Sequence, residues 1–277
     1  MPEFFEVKRI KDYLIDTDIL TIPIIFVSFK NHGERILKQS NTDFFREVLI
    51  NNCIQSIQTK AKYTLFCLNH GSILLHYRFT GIPHVEGHAY GNRLKSIYSL
   101  PIINLNPNHI RFSIYFSNGN ILNYYDTRCL SHMHIHNSYQ SFCDYSHLNK
   151  LADDLLHYIM PDFNDFISTH NHLKCDLKTF LLDQTKPPSG IGNYLANEIC
   201  AHSNLNPWIK ISDMNESQYT KLKSGFNSVI DACECNPSYD WFRVFNQEIC
   251  KICYQKICKV RHKKGAQSTF YCNHCQN

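Results

Sequence analysis

Two stretches in the first half of the chain alternate between short apolar runs and tight-turn residues. Residues 63–68 and 72–77 are rich in aromatic and aliphatic side chains and flank Asn-His-Gly, while 110–116 and 120–125 flank Ser-Asn-Gly. An Asn or Gly turn between two such runs is typical of a β-hairpin. Apolar residues at helical spacing precede them, at 6–13 and 43–49. Repeated hairpins predict a two-layer β-sandwich with flanking helices.

The second half has helical periodicity instead. It predicts helices at 148–159, at 164–168 leading toward 177–182, at 194–202 and at 216–232, with Ser212 or Asp213 as the N-cap of the last one. A polar segment rich in His, Ser and Asn lies between the two halves. We therefore predict an α+β protein with a β-sandwich domain at 1–136, a linker at 137–147, a helical domain at 148–246 and a finger at 247–277.

Composition narrows the class of protein only a little. The 277 residues are 43% hydrophobic and carry a formal net charge of +4, which is too mild to identify a nucleic-acid binder. The first twelve residues are charged throughout and the apolar runs are too short to span a bilayer, so neither secretion nor a membrane span is expected. An odd count of 13 cysteines, many of them scattered, favours thiols in a reducing compartment. We expect an intracellular monomer located wherever the genome resides.

Four cysteines near the C-terminus have the spacing of a metal site. Cys250 and Cys253 form one CxxC pair, Cys272 and Cys275 form another, and 18 residues separate the pairs. Four thiolates at this spacing are typical of tetrahedral Zn²⁺ with no open coordination position, so the predicted ion is structural. Two disulfides or four unrelated thiols are the alternatives. Cys258 fits no matching spacing and is expected to be a bystander.

Position 2 holds a proline, and this residue becomes a free secondary amine if the initiator Met is removed. An α-amino group has a pKa near 7.7–8.0, so part of it is uncharged and nucleophilic at neutral pH. Attack on a sugar C1′ would give an iminium, which is an electron sink for elimination of the 3′ phosphate. Glu3 and Glu6 are nearby carboxylates for proton transfer. Three residues alone, however, are weak support for catalysis.

Taken with four further segments, this start resembles the Fpg/Nei family of DNA glycosylases over nearly the whole chain. MPEFFEV resembles MPEGPEV, TKAKYTL at 59–65 resembles RRAKYLL, and HYRFTG at 76–81 stands where HLGMSG would. Asp183-Gln184 followed by SGIGNYLANE at 189–198 resembles the helix–two-turn–helix signature DQ…GIGNIYADE. GAQSTFYCNHC at 265–275 resembles GGRSTFFCPRC. Several ordered motifs are far more specific than any one of them.

The resemblance implies a bifunctional glycosylase and AP lyase of base excision repair, acting through Pro2, Glu3, Glu6 and Lys62. Lys62 would reach the phosphate or sugar at the lesion, with Lys60 as a fallback on the same strand face. Gly192 and Asn193 would bind phosphate at a helix start, where free N–H groups and the helix dipole attract anions. The partner would be damaged DNA, double- or single-stranded.

By the same resemblance, three side chains fill the gap that base extrusion leaves in the duplex. These wedge residues are Phe79, Arg128 and Leu130, the last two from a DTRCL segment similar to DPRRF. Without the family, a lone Phe or Leu in a β-rich segment is more often part of a core.

The chain departs from the family pattern at two places. Phe4 and Phe5 replace Gly and Pro beside the catalytic end, and Gln267 replaces an arginine of the finger that contacts phosphates. Lys263 and Lys264 are expected to replace part of the lost phosphate contact. Otherwise the chain would bind duplex DNA more weakly and would tolerate single-stranded DNA better.

Family members that cap 8-oxoguanine use a long loop between the last helix and the finger, and here that segment is short. We therefore expect a Nei-like preference for oxidised pyrimidines and formamidopyrimidines, with strand cleavage by β/δ-elimination. An Fpg-type 8-oxoguanine glycosylase is the alternative within the class. A non-catalytic zinc-containing DNA-binding protein is the alternative outside it.

Overall fold

The computed structural model describes residues 2–90, 105–155, 157–261 and 267–276. These residues form two compact units, 1–150 and 151–277. The predicted linker at 137–147 belongs to the first unit by this division, and the predicted domain boundaries remain predictions. Among the described residues, no helix is both long and apolar enough to cross a membrane.

The described residues of the first unit include two antiparallel four-stranded sheets and two α-helices. One sheet has the order β1-β6-β7-β5 and the other β2-β3-β4-β8. In chain order the elements are α1 (Phe4–Ile15), β1 (Ile24–Phe29), α2 (Thr42–Leu49), β2 (Ile54–Lys60), β3 (Tyr63–Leu68), β4 (Ser72–His76), β5 (Gly81–Val85), β6 (Ile110–Phe116), β7 (Ile121–Asp126) and β8 (His132–His136).

Both predicted hairpins are present, as β3–β4 and β6–β7. One hydrophobic core joins the inner faces of the two sheets, with Phe66 and Leu75 from one sheet and Phe112 and Leu122 from the other. The predicted β-sandwich is confirmed. Helix α1 contributes Val7 and Ile10 to the same core, which anchors the N-terminal residues to the sandwich.

The second unit is helical and carries a small hairpin. It contains α3 (Phe163–His170), α4 (Leu177–Leu182), α5 (Asn193–His202), α6 (Glu216–Cys235), β9 (Cys258–Arg261) and β10 (Ser268–Tyr271), with β9 antiparallel to β10. Sequence periodicity thus located four helices correctly. The N-cap of α6 is Asn215, not Ser212 or Asp213, because the Asn215 side chain accepts from Gln218 in a capping box.

The helix predicted at 148–159 is absent from the described part of that segment. Its backbone bonds to another segment instead: the Ala152 N–H donates to the Gln184 carbonyl, and the Asp153 carbonyl accepts from the Ser189 N–H. These bonds replace i→i−4 helical bonds, and Leu155 is still buried. The periodicity of apolar residues therefore predicted the wrong local structure for this segment.

Candidate active site and cysteine cluster

The N-terminal residues form a buried acidic cap on α1. Pro2 is buried, Glu3 is 2% exposed and Glu6 is 1% exposed. Glu3 is the N-cap, and its N–H donates to Oε2 of Glu6 at 2.8 Å while its carboxylate accepts from the Glu6 N–H. This capping box satisfies free N–H groups at the helix start. It also holds two carboxylates in fixed positions within four residues of Pro2.

Lys62 lies in the two-residue turn between β2 and β3, not within a strand as predicted. Ala61 has a φ of +52°, and Lys60 pairs with Tyr63 across the turn. Even so, Lys62 is only 8% exposed. Burial lowers the pKa of its ammonium, while the nearby carboxylates of Glu3 and Glu6 oppose that shift. The turn therefore brings Lys62 to the same acidic cap.

Lys60, the fallback residue, ends β2 and is half-buried. Lys62 is the lysine with electrostatic contacts to Glu3 and Glu6 in the structure. Burial and proximity thus single out Lys62 among the two candidates.

The three predicted wedge residues lie on two neighbouring loops of the first unit. Phe79 is 42% exposed, Leu130 is 45% exposed, and the Arg128 guanidinium carbon lies 5.7 Å from the Phe79 ring centroid. A cation over an aromatic face at this distance is a favourable contact. Phe79 and Leu130 are therefore exposed on these loops and are not part of the hydrophobic core.

Asp126 organises these two loops, a role that sequence reasoning missed. Its side chain is buried and accepts from the N–H groups of Arg128 at 3.2 Å and Leu130 at 2.9 Å, and from the hydroxyl of Thr80. An Asp that caps the N–H groups following it is a common turn device, so the signal was the Asp-Thr-Arg sequence itself. Arg128 and Leu130 are thereby fixed relative to the segment that carries Phe79.

Gly192 and Asn193 begin α5, as the predicted helix start requires. Gly192 is the N-cap, and Gly190 has a φ of +100° in the turn before it. The Gln184 side chain braces this turn by accepting from the Gly190 N–H at 3.0 Å and donating to the Ile191 carbonyl at 2.8 Å. A braced turn holds the helix start in one conformation.

A buried lysine ties the finger hairpin to α4 and α5. Lys178 is 1% exposed, and its Nζ donates to the Ser268 carbonyl and to the Thr269 hydroxyl, both at 3.0 Å. Asn193 donates to the same Ser268 carbonyl at 3.2 Å, and Asn197 accepts from the Phe270 N–H at 2.7 Å. The residues following Gln267 are thus bonded to the start of α5, another link that the sequence did not reveal.

The four cysteines of the two CxxC pairs converge. The sulfur atoms of Cys250, Cys253, Cys272 and Cys275 all lie within 4.8 Å of one another. Cys250 and Cys275 are 3.9 Å apart at Sγ, and Cys253 and Cys272 are 3.3 Å apart. These distances exceed a disulfide bond, and they bracket the roughly 3.8 Å expected between sulfurs bound at about 2.3 Å to one tetrahedral ion. All 13 cysteines are free, and Cys258 lies outside the cluster.

Gln267 is half-buried immediately before β10. Lys263 and Lys264, the other predicted finger contacts, lie outside the described residues.

Comparisons with known proteins agree on one family. The sequence model of the formamidopyrimidine-DNA glycosylase N-terminal domain matches residues 1–133. A formamidopyrimidine-DNA glycosylase of Mycoplasma pneumoniae is 32% identical over 269 residues, covering 96% of this chain and 90% of that protein. One of Ureaplasma parvum is 30% identical and is matched over 100% of both chains.

Solved structures show the same fold. Lactococcus lactis Fpg in complex with abasic-site DNA has a TM-score of 0.80 at 19% identity, with 99% of both chains covered. MutM in complex with DNA containing carbocyclic 8-oxo-G has a TM-score of 0.78 at 20% identity over the same share of both chains.

Proposed function

Since this chain belongs to the formamidopyrimidine-DNA glycosylase family, we propose that it excises oxidised bases from DNA and then cleaves the strand, with Pro2 as its nucleophile. The enzyme class expected from the sequence, a DNA glycosylase and AP lyase, is confirmed by this membership. The roles of individual residues and the choice of lesion are our proposal.

The observation that carries the proposal is the buried cap of Glu3 and Glu6 with Lys62 beside it, adjoining Pro2. Buried carboxylates are costly unless they are paired or hydrogen-bonded, and a folded core alone does not require them at a chain terminus. A DNA-binding scaffold without chemistry has no use for two carboxylates and a lysine at this position. The arrangement therefore favours the enzyme over the non-catalytic DNA-binding protein.

In the proposed reaction, the unblocked secondary amine of Pro2 attacks C1′ of the damaged nucleotide. The bond from C1′ to the base breaks, the base leaves with the electron pair, and Glu3 donates a proton to the opening sugar ring. The departing base takes up the amine proton, and cleavage of the C1′–O4′ bond then yields an iminium between Pro2 and C1′, while O4′ keeps the proton from Glu3 as a hydroxyl group. Glu6 fixes Glu3 through the 2.8 Å bond to its N–H, and so holds the nucleophile in place.

The iminium withdraws electrons, so a proton is lost from C2′ and the 3′ phosphate leaves by β-elimination. Lys62 supplies or removes protons at the sugar and phosphate, a role favoured by the lowered pKa of its ammonium. A second, δ-elimination would release the 5′ phosphate. Water then hydrolyses the remaining iminium and frees Pro2.

The same proposal assigns DNA contacts to both units. Phe79, Arg128 and Leu130 would occupy the space left by the extruded nucleotide, which suits the exposure of Phe79 and Leu130 and the contact of Arg128 with the Phe79 ring. The N–H groups at the start of α5, with Gly192 and Asn193, would bind backbone phosphate together with the neighbouring finger. Lys263 and Lys264 are proposed as further phosphate contacts.

We propose that Cys250, Cys253, Cys272 and Cys275 hold a structural Zn²⁺. The fit of the four sulfur atoms to tetrahedral distances supports this. The ion would stabilise the finger, whose small apolar cluster of Phe270, Val244 and Ile257 is too limited to fold a hairpin alone.

Two observations bear on the lesion. The relatives are named for formamidopyrimidines, while only residues 236–249 separate the end of α6 from the first ligand cysteine, which leaves little chain for a lesion cap. We propose that formamidopyrimidines and oxidised pyrimidines are the preferred bases. The family name equally favours an Fpg-type 8-oxoguanine glycosylase, so 8-oxoguanine is the second candidate base.

Borohydride trapping on lesion-bearing oligonucleotides tests the mechanism. A covalent adduct with the free N-terminus, lost in Pro2→Gly or when a tag blocks the terminus, is the expected result. If an adduct still forms when the terminus is blocked, Pro2 is not the nucleophile. If no lesion gives an adduct, the result supports the non-catalytic DNA-binding protein. Release rates for formamidopyrimidine, oxidised pyrimidine and 8-oxoguanine, each in single- and double-stranded DNA, decide the preference.

A further inference from the structure

A buried arginine of the first unit is bonded to two loops. These are the wedge loop, residues 127–131, and the β1 loop, residues 30–33. Arg111 lies near the start of β6 and is 8% exposed. The register between β6 and β7 shifts between Ile110 and Phe112, so Arg111 occupies an irregular position of the ladder, where a bulge can redirect a side chain. An apolar side chain would avoid the cost of burying a charge, so the hydrogen bonds of Arg111 indicate its role.

The guanidinium of Arg111 donates to backbone carbonyl groups of both loops. Its Nε donates to the carbonyl of Asp126, at the end of β7, at 2.6 Å, and its Nη2 donates to the carbonyl of Thr127 at 3.2 Å. Its Nη1 donates to the carbonyl of Asn31 in the β1 loop. A guanidinium has five N–H donors in a rigid planar fork, so this one side chain holds three carbonyl groups in a fixed arrangement.

The β1 loop is held against the backbone of the same arginine. Gly33 approaches Arg111 so closely that a Cβ at this position would overlap the Arg111 carbonyl oxygen, and only glycine permits this contact. Asn31 has a φ of +49°, and its Nδ2 donates to the Ile110 carbonyl at 3.1 Å. The β1 loop is therefore fixed to the start of β6 by its own contacts as well as by the guanidinium.

The wedge loop also contacts the β1 loop directly. Cys129 lies between Arg128 and Leu130 in the chain, and its Sγ donates to the His32 carbonyl at 3.4 Å. The φ of Cys129 is +51°, a left-handed conformation that is unfavourable in a residue other than glycine and persists only where the surrounding structure holds it. Contacts to the β1 loop and to Arg111 therefore hold the backbone turn that separates the two wedge side chains.

Arg111 and the Asp126 carboxylate bind opposite kinds of backbone group around the wedge loop. The carboxylate accepts from the N–H groups of Arg128 and Leu130. The guanidinium of Arg111 instead donates to the carbonyl groups of Asp126 and Thr127. Buried peptide N–H and C=O groups without partners are unfavourable, so a backbone with both kinds paired is restrained to one conformation. The wedge loop is thus ordered before any DNA is bound.

We propose that Arg111 is a positioning residue for nucleotide extrusion, because it fixes the backbone from which Arg128 and Leu130 enter the duplex. The inference rests on the proposed function, which assigns the wedge role to these two residues. A side chain that fills the gap in the base stack must be held in a productive position, and a loop that is already ordered loses less conformational entropy on insertion. Loss of Arg111 should therefore impair extrusion of a paired nucleotide and leave the chemistry at C1′ intact.

Single-turnover release of the base that the parent protein excises fastest tests this role on two duplexes. One duplex has a normal base opposite the lesion, and the other has a tetrahydrofuran abasic-site analogue there, so that no base pair has to open. Arg111→Met should slow release from the paired duplex by about tenfold or more, and from the unpaired duplex by about twofold or less. Arg111→Lys keeps a charged donor but not the planar fork, and should recover part of the rate. Equal slowing on the two duplexes in Arg111→Met overturns the proposal.

The fluorescence of 2-aminopurine placed opposite a tetrahydrofuran site reports wedge insertion without any chemical step. Insertion changes the stacking of this base, so the amplitude at saturating protein should be smaller with Arg111→Met than with the parent. The control variant is Arg46→Met on α2, where the lost guanidinium pairs with Asp43 and with neither loop, and it should give the parent amplitude. A parent amplitude in Arg111→Met as well overturns the positioning role.

Asn31→Gly tests the same support if Arg111→Met does not fold. It keeps Arg111 and suits a φ of +49°, but it lacks the bond to the Ile110 carbonyl. It should show the same difference between the two duplexes to a smaller extent, and equal effects on both overturn the proposal. Failure of the parent to form a borohydride-trapped adduct with any lesion would instead refute the proposed function, whereas the fluorescence amplitude reports on the wedge alone.

Discussion

The guanidinium carbon of Arg128 lies 5.7 Å from the centroid of the Phe79 ring, and the two residues come from different loops of the first unit. Phe79 follows β4, whereas Arg128 follows β7. Asp126 and Thr80 connect these loops, since the Arg128 N–H donates to both side chains. The two residues are therefore positioned as a pair before any DNA is bound.

We expect Phe79 and Arg128 to be energetically coupled in binding DNA that carries an extruded nucleotide. Phe79→Ala, Arg128→Ala and the double variant form a double-mutant cycle. A coupling energy of about 0.5–1 kcal/mol is expected from the cation–π contact. Affinities for a duplex with a tetrahydrofuran abasic-site analogue, which has neither an aldehyde nor a leaving group at C1′, measure it, with an undamaged duplex as the control. Strictly additive effects would contradict a paired wedge.

Lys62→Met should change how stability depends on pH. Burial lowers the pKa of Lys62, so between the folded and unfolded pKa values the unfolded chain holds more protons than the folded one. Stability due to this group therefore rises with pH and is lost as pH falls through the folded-state pKa. The variant should gain relative to the parent as pH falls, by up to about 1.4 kcal/mol per unit of pKa difference.

Urea unfolding of both proteins from about pH 6 to about pH 10 measures this difference, and strand-cleavage assays on a lesion-bearing duplex should show that the variant has lost cleavage. A stability difference that is constant with pH, together with unchanged cleavage, would contradict both the lowered pKa and the catalytic role of Lys62.

Cys272→Ser should remove the metal and unfold the finger. Cys272 is fully buried in the cluster, and structural zinc contributes about 10–16 kcal/mol of apparent binding free energy in small fingers. We expect zinc content to fall from one ion per chain toward zero, with loss of duplex binding. Cys67→Ser, at a buried cysteine of the first unit outside the cluster, is the matched control and should retain its zinc. Equal zinc content in the two variants would argue against the four-cysteine site.

Lys178→Met should weaken DNA binding while leaving zinc in place. The substitution keeps the volume of a buried side chain but removes the donor to Ser268 and Thr269. Because a buried charge is also costly, we expect stability to change by only about 1 kcal/mol. The hairpin should lose its alignment with α5, and duplex affinity should fall several-fold. Lys221→Met, at an exposed lysine of α6, controls for the lost charge. The two variants binding DNA equally would refute the positioning role.

Gln267→Arg should strengthen duplex binding and steepen its salt dependence. An added guanidinium that reaches a phosphate raises the magnitude of the log–log salt slope by about 0.9. Gln255→Arg adds the same charge at an exposed position in the finger region and should have a smaller effect. If Gln267→Arg changes neither the affinity nor the salt slope, the expectation that this chain binds duplex DNA weakly and tolerates single strands is wrong.

Much of this protein was determined by local sequence. Hairpins β3–β4 and β6–β7 follow from Asn and Gly turns between apolar runs, and α5 and α6 follow from their 3.6-residue periodicity. The cysteine cluster follows from spacing alone, because two CxxC turns can meet around one ion whatever lies between them. The family was evident from ordered motifs.

Other features required distant residues to come together. Lys62 is in a turn, and only the folding of that turn against α1 brings it to Glu3 and Glu6. Residues 148–159 have helical periodicity, but hydrogen bonds to residues 184 and 189 outcompete a helix there. The sequence alone gives no reason to expect Lys178 to be buried, and its burial depends on its hydrogen bond to the start of β10.

The sequence by itself thus determined the elements, the ligand cysteines and the chemical identity of the N-terminal residues, because those depend on neighbours within a few positions. The tertiary structure decided which charges are buried together and which loops are connected by a shared hydrogen-bonding residue. Those relationships depend on strand register and on packing between segments that are far apart in the chain, such as Glu3 with Lys62 and Leu37 with Met133. A single sequence does not specify such pairings before the core has formed.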